Sequence, residues 1–573
     1  MKKYKILFAM LLMVSVLSAL CYNWKISLPN HRFETFTRTL FENDVASNTL
    51  TLHYTLANPA AYGIKDYEVT LGSYSDYDLK ASCAAIENYA DITASFSEMN
   101  LNEKNRLTCD ILSDHLARRL DNLDYYLYTE IFSPASGIQS QLPIMFAEYE
   151  FRCQRDIDDY LTLLSQIDTY FKDAADFESL RAENGLIMAN FSLDTVIEQC
   201  RSFTKNKSSH YLESTFNTRL DEAGFLTPEE IRTYKTKNLT ILQNHVFPAY
   251  EYLADYFESL RSQAPSTMAL CNYPDGKKYY EGLVRQETGS SKSVEEIKKR
   301  LQQEFSIDFH AYAELISNDP SMETSSLDLI FENSPVLMLD DLKEKAKKDF
   351  PDIPATDVTV KYVDKALQDF MSPAFYMTPP IDISDTNVIY INPASSYSTL
   401  NLYTTLAHEG YPGHLYQTNY FHATDPDPLR SLLYFGGYTE GWALYTEMYS
   451  YRLAEENSAL TELHRLNHSI QLCLFSLMDI AIHYDGLHEA DIISNLARYG
   501  ITDKNSARQI YRYISEEPAN YLKYYVGYLE FLELKEKAQQ QAGNNFDLKD
   551  FHTFLLETGP APFDIIENRL RFP

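Results

Sequence analysis

Positive charge is scarce in this chain. Against 81 Asp and Glu there are only 50 Lys and Arg, a formal charge of −31 over 573 residues, and the basic residues nowhere form a block. Nucleic acid is therefore excluded as an expected partner, because neutralising phosphates takes clustered Lys and Arg. The acidic shell favours solubility and says little about substrate. Paired cysteine motifs are missing too. Cys83, Cys109, Cys153, Cys200, Cys271 and Cys473 are widely spaced with no CxxC among them. That excludes a zinc knuckle or a dithiol redox motif and leaves them as small buried hydrophobes, with scattered disulfides as the alternative. No internal repeat, low-complexity tract or long linker is present, which excludes a string of modules. Nor is any apolar run long enough to be a confident membrane span. Ile6–Leu20 falls short of the about 20 residues required. It follows Met1-Lys-Lys-Tyr-Lys5 and gives way to polar sequence at Asn23, so residues 1–21 read as an export signal, cleaved or kept as an N-terminal anchor. Leu20 before Cys21 spoils a lipoprotein signature. The expectation is an exported protein of the cell envelope or exterior, touching membrane only through that segment.

Hydrophobic residues at 45% and charged residues at 23% describe an ordinary globular chain, long enough for a large core. From about Phe33 to Met268 the pattern is helical. In Asp158–Phe171, for example, apolar residues fall three and four apart, as on one buried helix stripe. Thr227-Pro-Glu-Glu230 and Ser293-Val-Glu-Glu296 read as helix starts. Two stretches predict strands: Asp357–Val363, β-branched and alternating, and Asn387–Asn392, a short apolar run between turn residues. In several zinc peptidases such a strand rims the cleft, and by that analogy alone the second strand is expected to pair with extended substrate. The expected fold is mainly α with a small β element beside the active-site helix. A helical scaffold over 22–270 would pack with a metal-binding catalytic region over 271–573 as one unit.

The chemistry concentrates in Leu406-Ala-His-Glu-Gly-Tyr-Pro-Gly-His-Leu-Tyr-Gln417. His408 and His414 are zinc-ligand types at an awkward spacing. Six residues on a straight helix leave two side chains about 120° apart in angle and about 9 Å apart along the axis. Pro412 lies four residues after His408, has no N–H for the His408 carbonyl and must open the helix there. Gly413 then allows a turn that other residues resist. The expectation is a break between Tyr411 and His414 that returns both imidazoles to one ion. A catalytic zinc needs about three protein ligands and an open position. The third is Glu440 or Glu447 on the following helix, with Glu440 favoured and Glu447 then orienting a histidine. Glu409 has the place of a general base that takes a proton from water. His422, His464, His468 and His483 read as non-ligands.

Two motifs, His408-Glu-Gly-Tyr-Pro-Gly-His414 with Gln417, and Glu440-Gly-Trp-Ala-Leu-Tyr-Thr-Glu447, resemble those of a large bacterial family. Its members are often exported, carried as a domain of unknown function and regarded as zinc-metallopeptidase-like. The similarity continues at Pro379-Pro380, Tyr390-Ile-Asn392, Gly486-Leu-His488, Arg512-Tyr513, Pro518, Tyr524 and Gly527. The chain departs from the family pattern at Tyr484-Asp485, at Ala519-Asn520 and at Tyr525. The resemblance implies a mostly helical fold with a deep cleft, and one Zn²⁺ held by His408, His414 and Glu440. It also suggests Gln417 as a support behind the ligands. His488 and Tyr524 are candidates to donate to an oxyanion, and Arg512, Tyr390 and Asn392 to contact substrate. The expected activity is zinc-dependent hydrolysis of a peptide or small protein substrate. The competing expectations are hydrolysis of another amide or ester, or a degenerate metal site on an envelope binding protein.

Overall fold

The structure, a computed structural model, describes residues 28–572 apart from 325–328, 330, 332–333, 354–355, 364, 366–367, 369–371, 384–385, 396–397 and 455–458. The predicted export signal and Cys21 lie outside the described residues. Helices dominate. The longest, α1 (Gln154–Glu183), contains the predicted Asp158–Phe171 stripe and buries Tyr160, Leu164, Ile167, Phe171 and Ala174. Phe171 is fully buried, so truncating it to alanine would cost about 3–5 kcal/mol. The two predicted starts are reciprocal capping boxes. Ahead of α2 (Pro228–Ile241), Thr227 Oγ1 accepts from the Glu230 N–H at 3.3 Å while the Glu230 carboxylate accepts from the Thr227 N–H at 2.8 Å. Ser293 and Glu296 do the same ahead of α3 (Val294–Asn318), at 3.3 and 2.9 Å.

A three-stranded sheet contains both predicted strands and one more: β1 (Asp357–Tyr362), β2 (Ala374–Met377) and β3 (Thr386–Ile391), in the order β1-β3-β2. β3 pairs parallel with β1, Val360 opposite Ile389, and antiparallel with β2, Tyr376 opposite Ile389. This revises the expected role of the Asn387–Asn392 stretch. As the central strand it has both edges hydrogen-bonded and cannot receive a peptide; β2 is the edge strand that adjoins the motif helix.

The buried core runs across residue 270. One buried cluster joins Leu40, Phe41 and Ile111 to Leu406, Trp442 and Leu529. A second joins Phe171 and Tyr250 to Leu474, Tyr511 and Ile514. Each half of the chain completes the other's core. All six described cysteines are free; Cys109, Cys200 and Cys473 are buried as expected, whereas Cys153 is exposed. Among the described residues no helix is long and apolar enough to cross a membrane.

Candidate metal centre

α4 (Thr399–Glu409) starts where Ser398 caps the Asn401 N–H at 3.1 Å and buries Leu400, Tyr403, Leu406 and Ala407. Its last hydrogen bond runs from the Gly410 N–H to Leu406, and α5 (His414–Ala423) begins four residues later. The break therefore covers Gly410–Gly413 and starts one residue before the predicted place; the Tyr411-Pro412 peptide within it is cis. Gly413 makes a turn that other residues resist: a Cβ there would lie 1.8 Å from the His408 carbonyl oxygen and 2.4 Å from that of Ala407. The chain folds back so tightly on the end of α4 that only a bare Cα fits.

The second motif opens α6 (Gly436–Ala454) and supplies the clamp for this break. Trp442, fully buried, donates its indole N–H to the Pro412 carbonyl at 2.9 Å, so the helix bearing Glu440 holds the loop that aims His414. Glycines bring in α8 (Asn520–Ala542). A Cβ on Gly441 would lie 2.5 Å from the Gly527 backbone, and one on Gly527 would lie 2.1 Å from the Gly437 carbonyl. With the two backbones this close, Tyr524, one turn before Gly527, lies over the motif: its ring centroid is 6.2 Å from that of His408.

Together these elements gather His408, Glu409, His414, Glu440, Glu447 and Tyr524. The two imidazoles stand 4.8 Å apart between ring centroids at 82°. Glu440 Oε2 lies 3.3 Å from His414 Nε2 and 3.8 Å from His408 Nε2. His408, Glu409 and His414 also present ligand atoms within 4.8 Å of one another, a set able to hold a metal ion. The distances separate two kinds of contact. The 2.9 Å between His408 Nδ1 and Glu447 is a charge-assisted hydrogen bond, whereas 3.3 and 3.8 Å are long for one. They bracket the edge of a zinc tetrahedron, since ligands about 2.05 Å from the metal sit about 3.3 Å apart. The donor set of two imidazoles and carboxylates thus fits a metal ion.

Burial opposes charge on His408, but the facing carboxylates of Glu440 and Glu447, the latter hydrogen-bonded to it, and the charge of Glu409 raise its pKa well above the ordinary value. Burial likewise opposes ionisation of Glu440, yet the facing imidazoles of His408 and His414 hold it well below the carboxylate range. Glu447 is also lowered, because the charge of His468 and the His408 hydrogen bond outweigh its burial. The carboxylates stay ionised opposite these imidazoles. Tyr524 is shifted the other way. Burial first, then the charges of Glu440 and Glu409, keep its phenol protonated and able to donate.

Glu409 is tethered through β2: the Tyr376 N–H donates to its Oε2 at 2.8 Å, leaving Oε1 free. Gln417 is buried on α5 with its Nε2 unpartnered. Other sequence candidates lie elsewhere. His488 is exposed at the start of α7 (Glu489–Arg498), where its N–H donates to Asp491. Arg512 stacks over Phe191 at 5.1 Å in a surface hollow shared with Asp194 and Glu198. Tyr390 donates to Glu148 at 2.8 Å and stacks on Phe375, and Asn392 donates to the Gln368 carbonyl at 2.7 Å. Two participants escaped the sequence reading. One is the Tyr376 N–H; the other is His468, whose Nδ1 lies 3.4 Å from Glu447 and 3.3 Å from the Tyr451 hydroxyl. The shared face of His464 and His468 was visible, but the carboxylate it meets was not.

Residues 59–570 match a family model described as bacterial protein of unknown function, DUF885, and the chain belongs to that family. In fold it is similar to the crystal structure of a "putative lipoprotein" from Colwellia psychrerythraea, with a TM-score of 0.85 at 20% identity over 95% of this chain and 98% of that one. A "putative lipoprotein of unknown function" from Shewanella oneidensis matches at TM-score 0.64 and 16% identity, covering 94% and 99%. No curated protein matches the sequence.

Proposed function

We propose that this DUF885 member hydrolyses peptide bonds with the help of one zinc ion held by His408, His414 and Glu440. The observation that carries the reading is the convergence of two Nε2 atoms and Glu440 Oε2 at 3.3–3.8 Å beside a tethered Glu409. When bound, zinc supplies Lewis acidity toward water and a carbonyl oxygen. Glu447 keeps the His408 proton on Nδ1 and so leaves Nε2 free to ligate. Glu409, with Oε2 fixed by Tyr376, uses Oε1 to take the proton of the attacking water and deliver it to the departing nitrogen. The Tyr524 hydroxyl donates to the carbonyl oxygen as charge builds there. β2 pairs only with β3 among the described residues, and its outer edge, apart from the Tyr376 N–H that Glu409 occupies, is the one offered to an extended peptide. Work in the cell envelope agrees with the apolar segment Ile6–Leu20 and with the lipoprotein descriptions of the two structural neighbours.

Metal analysis of the purified protein together with a peptide-library digest tests this. Wild type should carry one zinc and cleave peptides; Glu409→Gln should keep the zinc and lose about 10²–10⁴ in rate. Zinc in both proteins with no cleavage by either would turn the reading toward a binding protein.

A further inference from the structure

His468, which reads as a non-ligand in the sequence, stands behind the candidate metal centre. It lies on the Ala459–His483 helix, and its Nδ1 faces Glu447 Oε1 at 3.4 Å and the Tyr451 hydroxyl at 3.3 Å. Two nearly equal contacts suit one N–H shared between two oxygens, here a carboxylate of α6 and a phenol one turn further along the same helix. The other oxygen of Glu447, Oε2, pairs with His408 Nδ1 at 2.9 Å. His408, Glu447 and His468 therefore form a row that leads outward from the candidate ligands. The side chains of the first two are 13% and 11% exposed and that of His468 is 28% exposed.

Among the described residues no lysine or arginine pairs with Glu447; its ion-pair partners are these two imidazoles. A carboxylate held by one oxygen can turn about its last bond and leave its partner, whereas one held by both oxygens cannot. His468 is itself well placed to hold. Its neighbour Ser469 donates to Asp308 Oδ2 at 2.6 Å and lies 2.8 Å from the Tyr525 hydroxyl, and all three residues are buried. Asp308 belongs to α3, and Tyr525 follows Tyr524 on α8. The stretch that carries His468 is thus locked in register with the helix that carries Tyr524.

We propose that His468 is a positioning residue of the metal centre, fixing the Glu447 carboxylate so that His408 keeps its Nδ1 proton there and turns Nε2 to the ion. The role rests on the zinc reading given above and acts through Glu447, with no contact to metal or substrate.

Zinc affinity of the full-length protein, measured by chelator competition, tests this alongside a peptide-library digest. His468→Leu fills the space without a donor and should weaken zinc about 10-fold. His468→Asn keeps an N–H near the Nδ1 position and should recover most of that loss. In a Glu447→Ala background His468→Leu should cost nothing further, since the group it acts through is gone. A packing role would add the same loss in both backgrounds. That result, or zinc affinity unchanged by His468→Leu, would overturn the positioning role and leave the peptidase reading standing. The expected pattern in a protein that cleaves no peptide would uphold the role and overturn the peptidase reading. A wild type that binds no zinc would overturn both.

Discussion

Two groups of glutamates stand side by side in this molecule and are driven in opposite directions. At the metal centre, Glu440 and Glu447 are deeply set yet held ionised, because imidazoles face them at 2.9–3.8 Å. In a neighbouring cavity, Glu130 and Glu516 meet comparable burial with hydroxyls or a distant guanidinium for company and are pushed toward protonation. Burial alone does not determine what a carboxylate is for; its partners do.

The sharpest test of this contrast is to remove the first group's partners. His408→Ala with His414→Ala should abolish stoichiometric zinc and all measurable hydrolysis, read by elemental analysis and peptide assay; unchanged metal content would place the ion elsewhere. Next in size, Tyr524→Phe should lower kcat about 10²–10³-fold with KM little altered, since its hydroxyl acts on charge that exists only during reaction. An equal rise in KM would make Tyr524 a binding residue instead. Glu447→Gln should weaken zinc affinity about 10- to 100-fold, measured by chelator competition, because His408 loses the partner that fixes its tautomer. The smallest effect belongs to the cavity. Glu516, facing Ser192, Glu517 and Arg512, binds its proton more tightly folded than unfolded. Its stabilising contribution is therefore complete below the ordinary value of 4.5 and is lost as pH rises toward about 7. Melting curves across that window should fall more steeply for wild type than for Glu516→Gln. Parallel curves would mean that the carboxylate is not starved of counter-charge.

What could be read from the chain beforehand was local. Pro412 announces a break because a missing N–H is a property of one residue, and the caps at Thr227 and Ser293 lie within three residues of the glutamates they meet. The bond from Trp442 to Pro412 spans 30 positions, and the contact between Gly441 and Gly527 spans many more, so neither leaves a periodic trace. β2 is only four residues long and shows no alternation, and thus the strand that steadies Glu409 went unseen. The chain also gives no sign that Asn387–Asn392 is flanked on both sides. His488 and Arg512 have suitable chemistry, but tertiary placement puts one at an exposed helix start and the other over Phe191. The acidic cavity draws on residues from Tyr128 to Lys523, too dispersed to stand out in an acid-rich chain.

The bare-backbone seam between α6 and α8 has a consequence for how this protein can change over time. The candidate ligands sit on α4, α5 and α6, whereas Tyr524 arrives on α8, whose distance from α6 is set by the missing methyls of Gly441 and Gly527. One added carbon on Gly527 would meet the Gly437 carbonyl at 2.1 Å and push α8 away, taking the tyrosine with it and leaving the histidines where they are. A lineage could in this way drift from turnover to mere capture of its target by a single mutation, with both signature motifs still intact in its sequence.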